Sequence, residues 1–137
     1  GRDSRERITS RFVDPELLPA DILNPLLAEL AAAADAQRRA PGDPELSAEG
    51  GVISKQTPAL YEFLAASGGK IILAERDGVR AGFALYFEPA RAPGWVRDVL
   101  DRYNHEFPEP KSYIYIVLID PEFKGSGAQR VILNAIA

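Results

Sequence analysis

The run Ile119-Asp120-Pro121-Glu122-Phe123-Lys124-Gly125-Ser126-Gly127-Ala128-Gln129-Arg130 holds the residue types and spacing best suited to chemistry. An apolar strand runs into a glycine turn that opens a helix. Such a junction aims unpaired backbone N–H groups at one spot, backed by the positive end of the helix dipole. Gly125 and Gly127 carry no Cβ, so a phosphate can approach the backbone closely there. The turn is an anion site by construction, and a pyrophosphate suits it. A Walker A loop is excluded, because it places Gly-Lys-Ser/Thr after four intervening residues, whereas Lys124 precedes the first glycine here. The dinucleotide pattern Gly-x-Gly-x-x-Gly matches weakly: its third glycine position is Arg130, and the strand before it is a late one.

Other chemistries are narrowed by composition. The 137 residues include no cysteine, which excludes disulfides, thiolate zinc sites, iron–sulfur clusters and a cysteine nucleophile. The single histidine, His105, lies in a proline-flanked polar loop and reads as a solvated surface residue. No metal is expected, although an all-carboxylate Mg²⁺ or Ca²⁺ site stays formally open. With a net charge of −4, a pI near 5.0 and no basic stripe, the chain offers little to nucleic acid. No apolar run approaches the ~20 residues of a membrane helix, and the first seven residues are charged or polar, without a secretory signal. A reduced, cytoplasmic domain is expected. There is no methionine, and the chain stops within an apolar stretch, Val131–Ala137, that lacks a helix stop. Residues 1–137 therefore read as a single domain, incomplete at its C-terminus.

The elements that must hold the turn are legible in outline. Ile8–Val13 reads as an opening strand. Leu23, Leu26, Leu27, Leu30, Ala31 and Ala34 recur at helical spacing, with an end near Arg38-Arg39. Residues 41–51 form a loop rich in Pro, Gly and acids. Thr57-Pro58 is an N-cap followed by an N1 proline, opening a short helix that Ser67-Gly68-Gly69 closes. Lys70–Glu75 and Arg80–Glu88 flank Asp77-Gly78, a strong signal for a tight antiparallel hairpin. A short helix is predicted from Trp95 to Tyr103, with Asp98 and Arg102 paired along it and Trp95 as a packing residue. Residues 112–119, apolar on both faces, should form a central, buried strand. The whole reads as an α/β or α+β domain: a mixed, mostly antiparallel central sheet flanked by helices.

The glycine segment resembles the acyl-CoA signature of the GNAT superfamily of N-acetyltransferases, Arg/Gln-x-x-Gly-x-Gly/Ala. Lys124 takes the basic position, Gly127 the central glycine and Gln129 the final small residue. Ile119-Asp-Pro-Glu-Phe123 resembles that family's strand end. Ile72–Phe83, with its Asp-Gly turn and Gly82-Phe83 pair, resembles its second and third strands. The resemblance implies a GNAT-like fold and transfer of an acetyl group from acetyl-CoA, as co-substrate, to a primary amine on a small molecule or peptide. It implies a pyrophosphate on Lys124, Gly125, Ser126, Gly127, Ala128 and Gln129, and a pantetheine arm beside Val117 and Ile119. A backbone N–H of the strand would stabilise the oxyanion.

Members of that family often carry a glutamate base on this strand; here it offers only Tyr113 and Tyr115, which read first as core aromatics. Tyr115 and Glu75 are the candidate catalytic residues, with Glu88 as a further carboxylate. The 89–111 connection is long enough to wall an acceptor site or to contact a second copy in a homodimer. A GNAT-like domain that no longer catalyses, binding CoA or a protein partner, is the alternative function.

Overall fold

A computed structural model describes residues 7–38, 55–88, 92–95, 98 and 112–136. In chain order these form strand β1 (Thr9–Val13), a 3-10 turn (Pro15–Leu17), helix α1 (Ala20–Arg38), helix α2 (Pro58–Ala66) and strands β2 (Lys70–Arg76), β3 (Val79–Phe87) and β4 (Tyr113–Ile119). A second 3-10 turn (Pro121–Phe123) and helix α3 (Ala128–Ile136) follow. The class is α+β, and the four described strands are antiparallel throughout, in the order β1-β2-β3-β4. Two compact units hold these elements: Leu17–Leu64, and Gly1–Glu16 together with Ala65–Ala137.

In the sheet unit, the β2–β3 hairpin turns where expected. Asp77 and Gly78 have φ of 53° and 77°, both left-handed, as a two-residue turn matching the strand twist requires. Ile71 to Ala74 and Ala81 to Phe87 are buried on both faces of the sheet. Helix α3 covers one face: Ala128 and Ile132 join Ile72, Ala74, Ala84 and Tyr86 in one apolar cluster, with Ile114, Val117 and Ile119 packed against it. Gly82 is required where β3 meets β4. A Cβ there would sit 2.5 Å from the Leu118 carbonyl oxygen and 2.8 Å from Ile119 Cδ1. At the opposite end of the sheet, the buried Lys70 ammonium is held by Asp14 at 2.8 Å, with Glu16 at 4.0 Å.

β4 corrects the expectation of a central, buried strand. It is an edge strand among the described residues, paired only with β3, and all seven of its residues are half-buried. An unbroken apolar run specifies that both faces are covered; it does not specify that both edges are. Its register carries a second feature. Leu85 pairs with Ile116 but Tyr86 with Ile114, so Tyr115 is an extra residue, a bulge. The extra residue explains how Ile114, Val117 and Ile119, spaced three and then two apart, share the α3 face.

Within the other unit, α1 starts at Ala20, earlier than Leu23, with the Pro19 carbonyl accepting from the Ile22 and Leu23 amides. Ala20 to Ile22 are exposed and lie off the buried stripe, Ile22 included; full burial begins at Leu27 and continues through Leu30, Ala31 and Ala34. Thr57 caps α2 as expected, its hydroxyl accepting from the Leu60 amide at 3.1 Å. Asp35, buried, accepts from the Gln56 amide at 3.1 Å, and the Tyr61 hydroxyl donates to Gln56 Oε1 at 2.8 Å. A buried polar chain of this kind is stable because each group has a partner.

Gly94, Trp95 and Asp98 are helical, in keeping with the helix predicted there. The rest of that helix, including Arg102 of the proposed Asp98–Arg102 pair, lies outside the described residues, as do the 41–51 loop and His105.

Candidate functional site

The glycine turn is built at the hairpin end of the sheet. The Asp120 amide extends the β3–β4 ladder by donating to the Ala81 carbonyl at 2.8 Å. Pro121 then stops the strand, and the 3-10 turn closes with the Phe123 amide on the Asp120 carbonyl at 2.9 Å. Gly125 and Gly127 follow in the left-handed region, at φ of 82° and 92°, and reverse the chain into α3. A Cβ added at either would meet nothing within 4 Å, so their backbone conformation, not crowding, calls for glycine there.

The backbone donors divide into two sets. Lys124 and Ser126 donate to the Pro121 and Phe123 carbonyls, at 3.4 and 3.0 Å, within the turn itself. The Ala128 amide is capped by Ser126 Oγ at 3.3 Å. Among the described residues, the amides of Gly125, Gly127, Gln129 and Arg130 meet no acceptor. These four open N–H groups, at the start of a nine-residue helix, can hold an anion. Of the six turn residues expected to bind pyrophosphate, Gly125, Gly127 and Gln129 thus offer amides. Lys124 offers its exposed ammonium, Ser126 shapes the turn, and Ala128 is buried beneath it.

Two arginines beside the turn escaped the sequence reading. Arg76 lies over the Phe123 ring, 4.8 Å from its centroid, and steadies the 3-10 turn. Arg80 has a buried Nε with no hydrogen-bond partner, and its charge acts on Asp120. Burial pushes the Asp120 carboxyl above its ordinary value; Arg80 draws it down, and Glu122 pushes it up again. The available signal was the hairpin: Arg76 and Arg80 flank Asp77-Gly78, and pairing Gly82 with Ile119 carries that end of the hairpin to the turn.

The two candidate catalytic residues are not brought together. Glu75 lies at the hairpin end of β2, clasped by Arg11 through Nε to Oε1 at 3.3 Å and Nη2 to Oε2 at 3.2 Å. The hydrogen bond from Arg11 raises that guanidinium's pKa. Tyr115 sits at the β4 bulge, two strands away and five residue pairs along, roughly 19 Å by sheet spacings. Glu88 is exposed at the far end of β3. Val117 and Ile119 line β4 between bulge and turn, packed against the α3 cluster, and no described strand covers the outer edge of β4.

Among the described residues, no group of three His, Asp or Glu side chains could hold a metal, and no helix is long and apolar enough to cross a membrane. No protein-family model matches the chain, nor does any curated protein or solved structure.

Proposed function

We propose that the glycine turn and the outer edge of β4 form an acyl-CoA site, and that the protein is an N-acetyltransferase of GNAT type acting on a primary amine. The observation that carries this reading is the juxtaposition, among the described residues, of four open backbone donors at the turn with a strand edge that no described strand covers and that begins there. Gly125, Gly127, Gln129 and Arg130 would hold the pyrophosphate, with Lys124 adding charge. Val117 and Ile119 lie on the stretch of β4 along which an extended arm would lie as an added strand does. From Ile119 to the bulge is four residues, about 13 Å at strand rise. When bound, acetyl-CoA supplies a thioester carbonyl that a neutral amine attacks, forming the C–N bond and releasing the thiol.

The chain's part is then positioning and proton handling. A bulge breaks the regular ladder and so frees backbone donors, which suits an oxyanion contact beside Tyr115. The Tyr115 phenol is the group nearest that point by register and would relay the proton, directly or through water. Glu75, held by Arg11 on the far side of the sheet, has no part in this scheme.

Favouring the alternative, a GNAT-like domain that binds CoA or a protein partner without catalysis, β4 carries no carboxylate. Calorimetric titration with acetyl-CoA tests the shared premise. Wild type is expected to bind at micromolar concentration, more weakly as salt rises, and Gly127→Glu to lose binding through charge repulsion. A folded wild type that fails to bind overturns the acyl-CoA site. Binding without acetylation of any amine in a broad screen selects the non-catalytic reading.

A further inference from the structure

A row of charge crosses the sheet at its hairpin end, on the face away from α3. Ala74 and Ile119 belong to the α3 cluster, so Glu75 and Asp120, next along each strand, face the other way. Arg80 pairs directly with Glu75 and shares its face. The next pair is Ala74 with Gly82, which leaves Ala81 as an extra residue, a bulge. Ala81 stays in the α3 cluster, and Arg80 turns to the opposite side. Arg11 reaches Glu75 from β1. From β1 to the end of β4 the row is therefore Arg11, Glu75, Arg80 and Asp120, with alternating sign.

Partners in this row are unequally shared. Arg11 takes Glu75 with two hydrogen bonds, at 3.3 and 3.2 Å. Arg80 is half-buried, and its buried Nε meets no acceptor among the described residues. On its β4 side lies Asp120, whose amide donates to the Ala81 carbonyl at 2.8 Å. Arg80 draws the Asp120 carboxyl down against burial and Glu122, so the two charges act on each other. Arg76, the other hairpin arginine, lies over Phe123 instead. Asp120 is also where β4 ends and the chain enters the glycine turn. A bare carboxylate there would repel an anion held by the turn, the more so because partial burial weakens screening.

We infer that Arg80 is a positioning residue of the turn, acting through Asp120: it offsets that carboxylate and so keeps the field at the turn's amides favourable to a pyrophosphate. The inference rests on the acyl-CoA reading, and it adds to that site a residue contributed by the hairpin. No contact between Arg80 and the coenzyme is involved.

Calorimetric titration with acetyl-CoA at neutral pH tests it, on variants whose folding is checked by circular dichroism. Arg80→Gln should weaken binding about fivefold or more. Arg80→Lys, which keeps the charge, should stay within about twofold of wild type. Adding Asp120→Asn to Arg80→Gln should restore the wild-type affinity, because the charge to be offset is gone. Asp120→Asn alone should bind at least as tightly as wild type. A structural defect at Arg80, or a direct contact of Arg80 with the coenzyme, would not be repaired by altering Asp120. Should Arg80→Gln alone fail to fold, the double variant decides by the same comparison. Unchanged binding by Arg80→Gln, a deficit that the double variant keeps, or weaker binding by Asp120→Asn overturns the inference and spares the coenzyme site. A folded wild type that fails to bind acetyl-CoA removes the coenzyme reading and, with it, this role.

Discussion

Asp120 stands where the turn's electrostatics can be read from a single group. Its carboxyl is raised from 3.8 chiefly by burial, with Arg80 opposing and Glu122 adding. A raised acid disfavours the charged form in the folded state. The penalty is therefore absent at pH values below the ordinary carboxylate pKa and complete once pH has risen through the folded value. Asp120→Asn should melt above wild type at about pH 7 and no higher at about pH 3, as a thermal denaturation series across that range would detect; equal differences at both ends would refute the assignment. None of this balance was visible along the chain, because Arg80 and Asp120 meet only through the pairing of Gly82 with Ile119. For the same reason the clasp of Arg11 on Glu75, 64 residues apart, was not visible.

Local elements were the most legible. Asp77-Gly78 and Thr57-Pro58 specify their turn and cap through backbone preferences acting within four residues, and both formed as expected. β4 was legible as a strand and illegible in position. Seven apolar residues without alternation mark neither the edge nor the extra residue at Tyr115, since both depend on partners elsewhere. Gly82 matters at this level because it sets how closely β3 and β4 approach. Gly82→Ala should destabilise by about 1–3 kcal/mol, the usual cost of overpacking, since the clash is with the Leu118 carbonyl and cannot be relieved by a rotamer change. Chemical denaturation would measure it, and an unchanged midpoint would mean that the strands separate freely. The glycine turn was legible as a turn that opens a helix, though not which of its amides would meet no acceptor among the described residues.

Taken as a whole, the molecule divides its burden between two units, each with its own interior. One is an antiparallel sheet backed by α3; the other is a helical unit with the Asp35–Gln56–Tyr61 polar chain. The sheet unit also contains Lys70, whose side chain is only 9% exposed and salt-bridged to Asp14, whereas Lys55 and Lys124 are exposed. An ammonium in that setting is shielded from reagent by its burial and its ion pair. Exposed lysines should react with an acylating label in a first, fast phase. Lys70 should be modified only when β1 and β3 let go of β2, at a rate that tracks opening of the sheet. Peptide mapping of a labelling time course would separate the phases, and a Lys70 as fast as Lys124 would show that this end of the sheet opens freely. A residue placed to neutralise two acids thus doubles as a built-in clock for how often the sheet comes apart.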